Sequence, residues 1–469
     1  MSTDEIIYML MLFISLPLGY LVKKTSGARE KTYLCSGVGV AMVVILCGLH
    51  TFHTVATISS TILIIKGVGW NRHCHTVSFI FNFSYITFFR AGSYFGLKPP
   101  TAFSNVVMLL LTLKLVGIAF EVHDSHKLKK NREKGIPDPT DRQGQKKYMP
   151  VIEDPSVLDI VHYSYCFVGL LTGPYFKFKT YQDMINNSKS AKVPTIQPLI
   201  EKMKVLPLLA ILFLGLSFYL RLDDMKEDAF YQEPLWYRLG YMVPAFMVFR
   251  MRMYSAWILS ECVCITAALG AYPKALKSRS GQGPVIDPQH VKESDPSECE
   301  YDFETIHNID PYKCDFTPTF RDAMRGWNMS VQWWLKNHVF IRFPIKPLST
   351  LVTMLVSAYW HGIYGGYYLS LLTVPIILIA EDIMIKNFRT EQNSVTFDWI
   401  NWLFRMRGFE YLSIAFLVLS GSALLRYWAS IYFIGHVITI GFIVLGMMYK
   451  PKRKPKTEDA ARNSEKKLE

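Results

Sequence analysis

Charge is scarce in this chain. Asp, Glu, Lys and Arg make up 19% of its 469 residues, below the quarter usual in a soluble domain. Several motifs are missing as well. There is no G-x-x-x-x-G-K-[ST] loop, which excludes P-loop ATP hydrolysis. There is no G-x-S-x-G elbow, which removes support for a serine lipase. Neither H-E-x-x-H nor a compact Cys/His set surrounds the histidine singled out below, so no metal site is expected. The 8 cysteines contain no C-x-x-C pair. Cys35, Cys47, Cys166, Cys262 and Cys264 fall in or beside apolar runs, and Cys74, Cys299 and Cys314 fall in expected loops, so no disulfide framework is demanded. Few carboxylates enter the apolar runs. Glu121, Glu261 and Glu381 are the candidates, and their scarcity argues against a proton-coupled transporter.

Half of the residues are hydrophobic, and long apolar runs recur from end to end. The pattern predicts an all-α multi-pass membrane protein. Runs at 5–22, 34–50, 51–68, 77–96, 103–121, 157–173, 203–220, 236–250, 254–273, 349–360, 366–381, 408–425 and 429–449 are the expected spans. Several are short enough to be re-entrant, so the expectation is roughly nine to thirteen membrane helices. Asp4 and Glu5 precede the run at 6–21, without a basic n-region or a cleavage site, which predicts a retained first helix. Residues 1–449 are expected to form one membrane domain.

The net charge of +13 gathers between the apolar runs. Positive-inside bias and lipid headgroups account for such charge, as would a polyanionic co-substrate, and no nucleic-acid partner is expected. The stretch 123–156, with Lys127, Lys129, Lys130, Arg132, Lys134, Arg142, Lys146 and Lys147, is predicted as a polar loop. So is 274–315, rich in Pro, Gly and Ser. Residues 450–469 form a basic tail that is expected to be disordered and cytosolic, ending in Lys466-Lys467-Leu468-Glu469, similar to a dilysine retrieval signal.

Two stretches carry the chemistry. Residues 321–340, RDAMRGWNMSVQWWLKNHVF, place Met324, Asn328, Val331, Leu335 and His338 on one face of a helical wheel. Arg321, Arg325, Gln332 and Lys336 share a flank, so one amphipathic helix is predicted. Asn328 then sits in a largely apolar face. It is a structural amide, a reaction-cavity group or, through Asn328-Met329-Ser330, a glycosylation sequon. Residues 351–370, LVTMLVSAYWHGIYGGYYLS, run an apolar helix into Trp360-His361-Gly362. His361 is a satisfied core histidine, a metal ligand or a general base, and neutral imidazole suits the last role near pH 7. Gly362, Gly365 and Gly366 leave room for close backbone or acyl-chain approach. A base beside an amide donor suits transfer of an acyl group from a thioester to a lipid hydroxyl, with water excluded.

These residues resemble the membrane-bound O-acyltransferase superfamily. The layout of Asn328 in an aromatic-rich segment, followed by an apolar run ending at His361, is similar to that family's signature. Phe88-Phe89-Arg90, Tyr163-Ser164-Tyr165-Cys166, Gly270-Ala271-Tyr272-Pro273, Gln332-Trp333-Trp334 and Ser357-Ala358-Tyr359-Trp360-His361-Gly362 extend the likeness to its lysophosphatidylinositol-using members. The resemblance implies a helical bundle around a central tunnel, with His361 as catalytic base and Asn328 as its partner. It implies acyl-CoA as co-substrate and no prosthetic group. The implied reaction moves a polyunsaturated chain, arachidonoyl preferred, to the sn-2 hydroxyl of 1-acyl-lysophosphatidylinositol in the endoplasmic-reticulum membrane. Arg321, Arg325, Gln332, Trp333 and Tyr359 are the candidate acyl-CoA contacts. Another headgroup preference is the alternative within enzymes, and a lipid transporter or scramblase the alternative outside them. A monomer, a loose homodimer or association with other lipid-remodelling enzymes fits equally.

Overall fold

The computed structural model describes residues 3–70, 73–140, 148–290 and 299–449. The expected basic tail, 450–469, lies outside them, as do Arg142, Lys146 and Lys147. Among the described residues the regular secondary structure is helical, apart from a two-stranded antiparallel ribbon that pairs Tyr272 with Asp302 and Pro273 with Tyr301 and an isolated bridge between Arg279 and Gly283.

The first half contains α1 (Thr3–Lys24), α2 (Ala28–Cys47), α3 (Thr51–Leu63), α4 (Cys74–Arg90), α5 (Ala102–Glu133), α6 (Val157–Tyr165), α7 (Phe178–Asn186), α8 (Ile196–Met203) and α9 (Leu206–Tyr219). Then come α10 (Leu235–Thr266), α11 (Pro311–Phe316), α12 (Phe320–Arg325), α13 (Met329–Leu335), α14 (Ser349–His361), α15 (Gly365–Phe388), α16 (Ser394–Val418), α17 (Gly421–Ser430) and α18 (Ile434–Met448). Among the helices long and apolar enough to cross a membrane, α5 is the most enclosed, with 78% of its apolar window buried inside the protein. Its residues from Leu110 to Phe120 are all buried and, apart from Thr112 and Lys114, apolar, as a helix packed all round requires; Lys114 donates to the Tyr163 carbonyl at 3.0 Å. Helices α2, α3, α4 and α6 pack around it, while α10, α15 and α16 build a second apolar core.

Among the described residues, 4 helical stretches are long and apolar enough to cross a membrane, or up to 5 if the bent pair α17–α18 counts as one span. They are Glu5–Lys24, Ala28–Val68, Ala102–Glu133 and Gly365–Phe388. Other expected spans fall short for physical reasons. Helices α9 and α14 have only 14 and 13 residues. The runs at 236–250 and 254–273 are one helix, α10, in which Arg238, Arg250 and Arg252 interrupt the apolar sequence. The run at 157–173 stops being helical at Tyr165, and its remainder is buried irregular backbone. The polar loop expected at 123–156 begins as helix, because α5 continues to Glu133.

The largest departure is at 321–340. The predicted single helix is two short helices separated at Asn328, whose φ of 47° and ψ of 52° are left-handed. Asparagine is among the few residues that tolerate this conformation. The wheel that placed Asn328 and Arg325 on one continuous helix therefore does not hold.

Candidate active site

Helix α14 ends at His361 because Gly362 is fully extended there, with φ 170° and ψ 179°. The last carbonyls of a helix need outside partners. Arg90, the last residue of α4, supplies them. It donates to the Tyr359 carbonyl at 3.2 Å and the Trp360 carbonyl at 2.7 Å, while its Nε donates to Asn105 at 2.8 Å. A single guanidinium fork thus fixes the two residues before His361. The His361 ring lies 5.3 Å from Phe416, edge to face, and 5.7 Å from Tyr367. It takes part in no hydrogen bond among the described residues, and its side chain is half-buried. The expected close approach of backbone is present: Gly366 donates its N–H to the Leu419 carbonyl at 2.8 Å. A Cβ on Gly366 would lie 2.6 Å from that oxygen, so glycine is what lets α15 meet the end of α16.

The Asn328 turn is held from both sides. Met329 donates its N–H to the Asn308 carbonyl at 2.7 Å. The Ser330 hydroxyl donates to Asn308 Oδ1 at 2.6 Å, and Tyr175 N–H donates to the Ser330 hydroxyl at 3.1 Å. Gln332 donates its amide to the carbonyls of Met324 and Trp327, closing the turn from within. The Asn328 side chain is half-buried and takes part in no hydrogen bond among the described residues.

Ring contacts connect the two candidates. Phe416 lies against His361, Phe249 lies 6.0 Å from Phe416, and Trp327, the residue before Asn328, lies 6.2 Å from Phe249. Phe249 and Phe416 also line a cavity of about 520 Å³, together with Phe213, Ser217, Asp223 and Arg252. The arrangement sets an imidazole and an amide, both without hydrogen-bond partners among the described residues, at the two ends of a row of rings; Phe249 and Phe416 of that row line the open volume, whereas His361 and Asn328 do not.

The five residues expected at acyl-CoA do not line that cavity. Arg321 pairs with Asp382 at 2.6 Å and Arg325 with Asp322 at 2.9 Å. Gln332 is spent on the turn. Trp333 stacks on Tyr175, and Tyr359 hydrogen-bonds Thr87. Trp334 and Trp360 pack, donating to the Leu113 and Leu109 carbonyls of α5, each at 3.1 Å.

The three glutamates in the apolar runs share one role that sequence reasoning missed. Glu121 accepts the N–H groups of Phe178 and Lys179 at 2.7 and 3.1 Å. Glu261, fully buried, accepts those of Asn308 and Ile309 at 2.7 and 2.9 Å, and pairs with Lys202 at 2.5 Å. Glu381 accepts those of Phe320 and Arg321 at 2.5 and 3.2 Å. Each carboxylate anchors two successive backbone amides, and hydrogen bonds to a charged acceptor contribute roughly 1.5–3 kcal/mol each. Glu381 thereby holds the start of the helix before Asn328, and Glu261 holds Asn308, which in turn binds Met329 and Ser330 after it. Carboxylates engaged in this way serve as turn anchors.

Residues 89–421 match the model of the membrane-bound O-acyltransferase family. The stretch includes Arg90, Asn328 and His361. The chain is 43% identical to the membrane-bound acylglycerophosphatidylinositol O-acyltransferase mboat7 of Xenopus laevis over 100% of both chains. It is 42% identical to the Homo sapiens protein of that description, over 95% of this chain and 94% of the relative. The Drosophila melanogaster protein of that description, frj, is 33% identical over 97% and 94%.

Proposed function

The chain belongs to the membrane-bound O-acyltransferase family, and we propose that it transfers an acyl chain from acyl-CoA to the free hydroxyl of a lysophosphatidylinositol. His361 is the general base. It takes the lipid hydroxyl's proton as the oxygen attacks the thioester carbonyl. The Asn328 amide donates to the carbonyl oxygen as negative charge develops there. Collapse of the tetrahedral adduct breaks the carbon–sulfur bond, and the imidazolium returns its proton to the departing thiolate. The products are phosphatidylinositol and CoA, and no prosthetic group takes part.

One observation supports this assignment above the others. Half-buried His361 and Asn328 have no hydrogen-bond partners among the described residues, although polar groups withdrawn from water are nearly always paired. A substrate would supply the missing partners. In the same reading the acyl chain is polyunsaturated, the accepting hydroxyl is at sn-2, and the membrane is the endoplasmic reticulum with the C-terminal tail on the cytosolic side.

CoA release by the purified protein in detergent micelles tests the proposal, with arachidonoyl-CoA and either lysophosphatidylinositol or lysophosphatidylcholine. Release with the inositol lipid alone, abolished in a folded His361→Ala variant, is the expected result. Release with both lipids overturns the headgroup assignment. Full turnover in His361→Ala removes it as the base.

A further inference from the structure

His73 precedes α4, His75 lies in its first turn, and His123 lies in the polar half of α5. A ring nitrogen from each falls within 4.8 Å of the other two. The rings of His75 and His123 are 3.8 Å apart, and those of His73 and His75 are 5.7 Å apart. Two details orient the donors. His123 Nδ1 sits 3.2 Å from the Trp70 carbonyl. A carbonyl only accepts, so the His123 proton is on Nδ1 and its Nε2 carries the lone pair. Histidines that bind metals typically have a second-shell partner of this kind. His75 Nδ1 is shielded from solvent and has no hydrogen-bond partner among the described residues. With no acceptor holding a proton there, this nitrogen is free to carry a lone pair.

We propose that His73, His75 and His123 bind a zinc ion. Three imidazoles suit zinc, at Zn–N distances of about 2.0–2.1 Å, with water in the fourth tetrahedral position. Calcium and magnesium require oxygen ligands, and the adjacent carboxylate is taken: both oxygens of Asp124 accept from Arg342. Closing the three nitrogens to tetrahedral spacing requires rotation of His73, whose side chain is exposed, and a parting of the His75 and His123 rings, which now lie 3.8 Å apart.

The metal would tie the start of α4 to α5, the most enclosed of the membrane-length helices. The His75 ring lies 4.8 Å from Phe120, and Phe120 lies 4.4 Å from His338, in the turn that follows α13. Zinc therefore fastens α4 to α5 beside the segment that continues from Asn328. The expectation of no metal site rested on local motifs. This set joins a His-Cys-His tripeptide to a histidine on another helix, which only the fold brings close.

The test uses the full chain, purified in detergent without a polyhistidine tag and dialysed against zinc. We expect about one zinc per chain in the wild type and in His126→Gln, a neighbouring histidine outside the triad. His73→Gln, which alters an exposed side chain and leaves packing intact, lowers zinc affinity by at least about 100-fold. Cobalt substitution gives visible ligand-field bands in the wild type and none in His73→Gln. Equal zinc content in the wild type and His73→Gln overturns the proposal, as does a wild type without cobalt bands. None of these readouts depends on acyl transfer.

Discussion

Arg90 donates a hydrogen bond to the Trp360 carbonyl at 2.7 Å, so the end of α4 holds the residue before His361. The contact joins an arginine at the close of one apolar run to the histidine that closes another.

Arg90 is therefore a positioning residue. Lysine keeps the charge but cannot reach Asn105 and two carbonyls in one plane. Arg90→Lys lowers kcat by roughly 10–100-fold, the scale expected when a reacting group is displaced by a fraction of an ångström to an ångström. KM for acyl-CoA stays near the wild-type value. Steady-state kinetics on protein of verified size and helix content check this, and equal loss in both parameters would count against it.

Asn328 combines a left-handed backbone with a free amide, and substitution separates the two. Asn328→Gly accepts a φ of 47° without strain but has no amide. Asn328→Ala loses the amide and adds roughly 1–2 kcal/mol of backbone strain. Thermal unfolding places Gly above Ala in stability. Turnover falls severely in both, and an active glycine variant would show that only the backbone mattered.

Glu261 separates anchoring from proton transport. Glu261→Gln keeps an oxygen for the Asn308 and Ile309 amides and loses the negative charge that pairs with Lys202 and favours charged His307. Acyl transfer survives in it. Glu261→Ala leaves two buried N–H groups unpaired, at roughly 1–3 kcal/mol each, and its melting temperature falls accordingly. Inactive but fully stable Glu261→Gln protein would contradict the anchoring role.

The Glu304–His307 pair, outside the membrane helices, adds a pH dependence. His307 Nδ1 bonds Glu304 at 3.1 Å and Nε2 bonds the Ile309 carbonyl at 3.1 Å, so the charged ring satisfies both. Burial opposes that charge, but the bond to Glu304 and the Glu261 and Glu304 carboxylates outweigh it and raise the His307 pKa above 6.5. The His307 bond holds the Glu304 pKa below 4.5. The histidine's contribution is complete below pH 6.5 and is lost as pH rises through its folded pKa. The glutamate's is complete above pH 4.5 and is lost as pH falls through its folded pKa. Melting temperatures across pH 5–9 fall on the alkaline side in the wild type, and His307→Ala flattens that limb.

Much of the architecture can be read from the chain itself. Apolar runs with few charges require helices, because lipid leaves no other partner for the backbone. The endpoints of α1, α14 and α15 follow from Lys23 and Lys24, Gly362 and the Gly365-Gly366 pair. A lone histidine and a lone asparagine in apolar surroundings also stand out without coordinates. Only the tertiary structure decided that Asn328 breaks its helix, because the hydrogen bonds that hold its turn come from Asn308, and Asn308 is held in turn by Glu261. The Arg90 clamp on α14 and the meeting of His73 and His75 with His123 are likewise tertiary. Hydrophobic periodicity is local and repeats within a few residues. The partner of a polar group is chosen by packing between segments distant in the chain, and no period in the sequence records that choice.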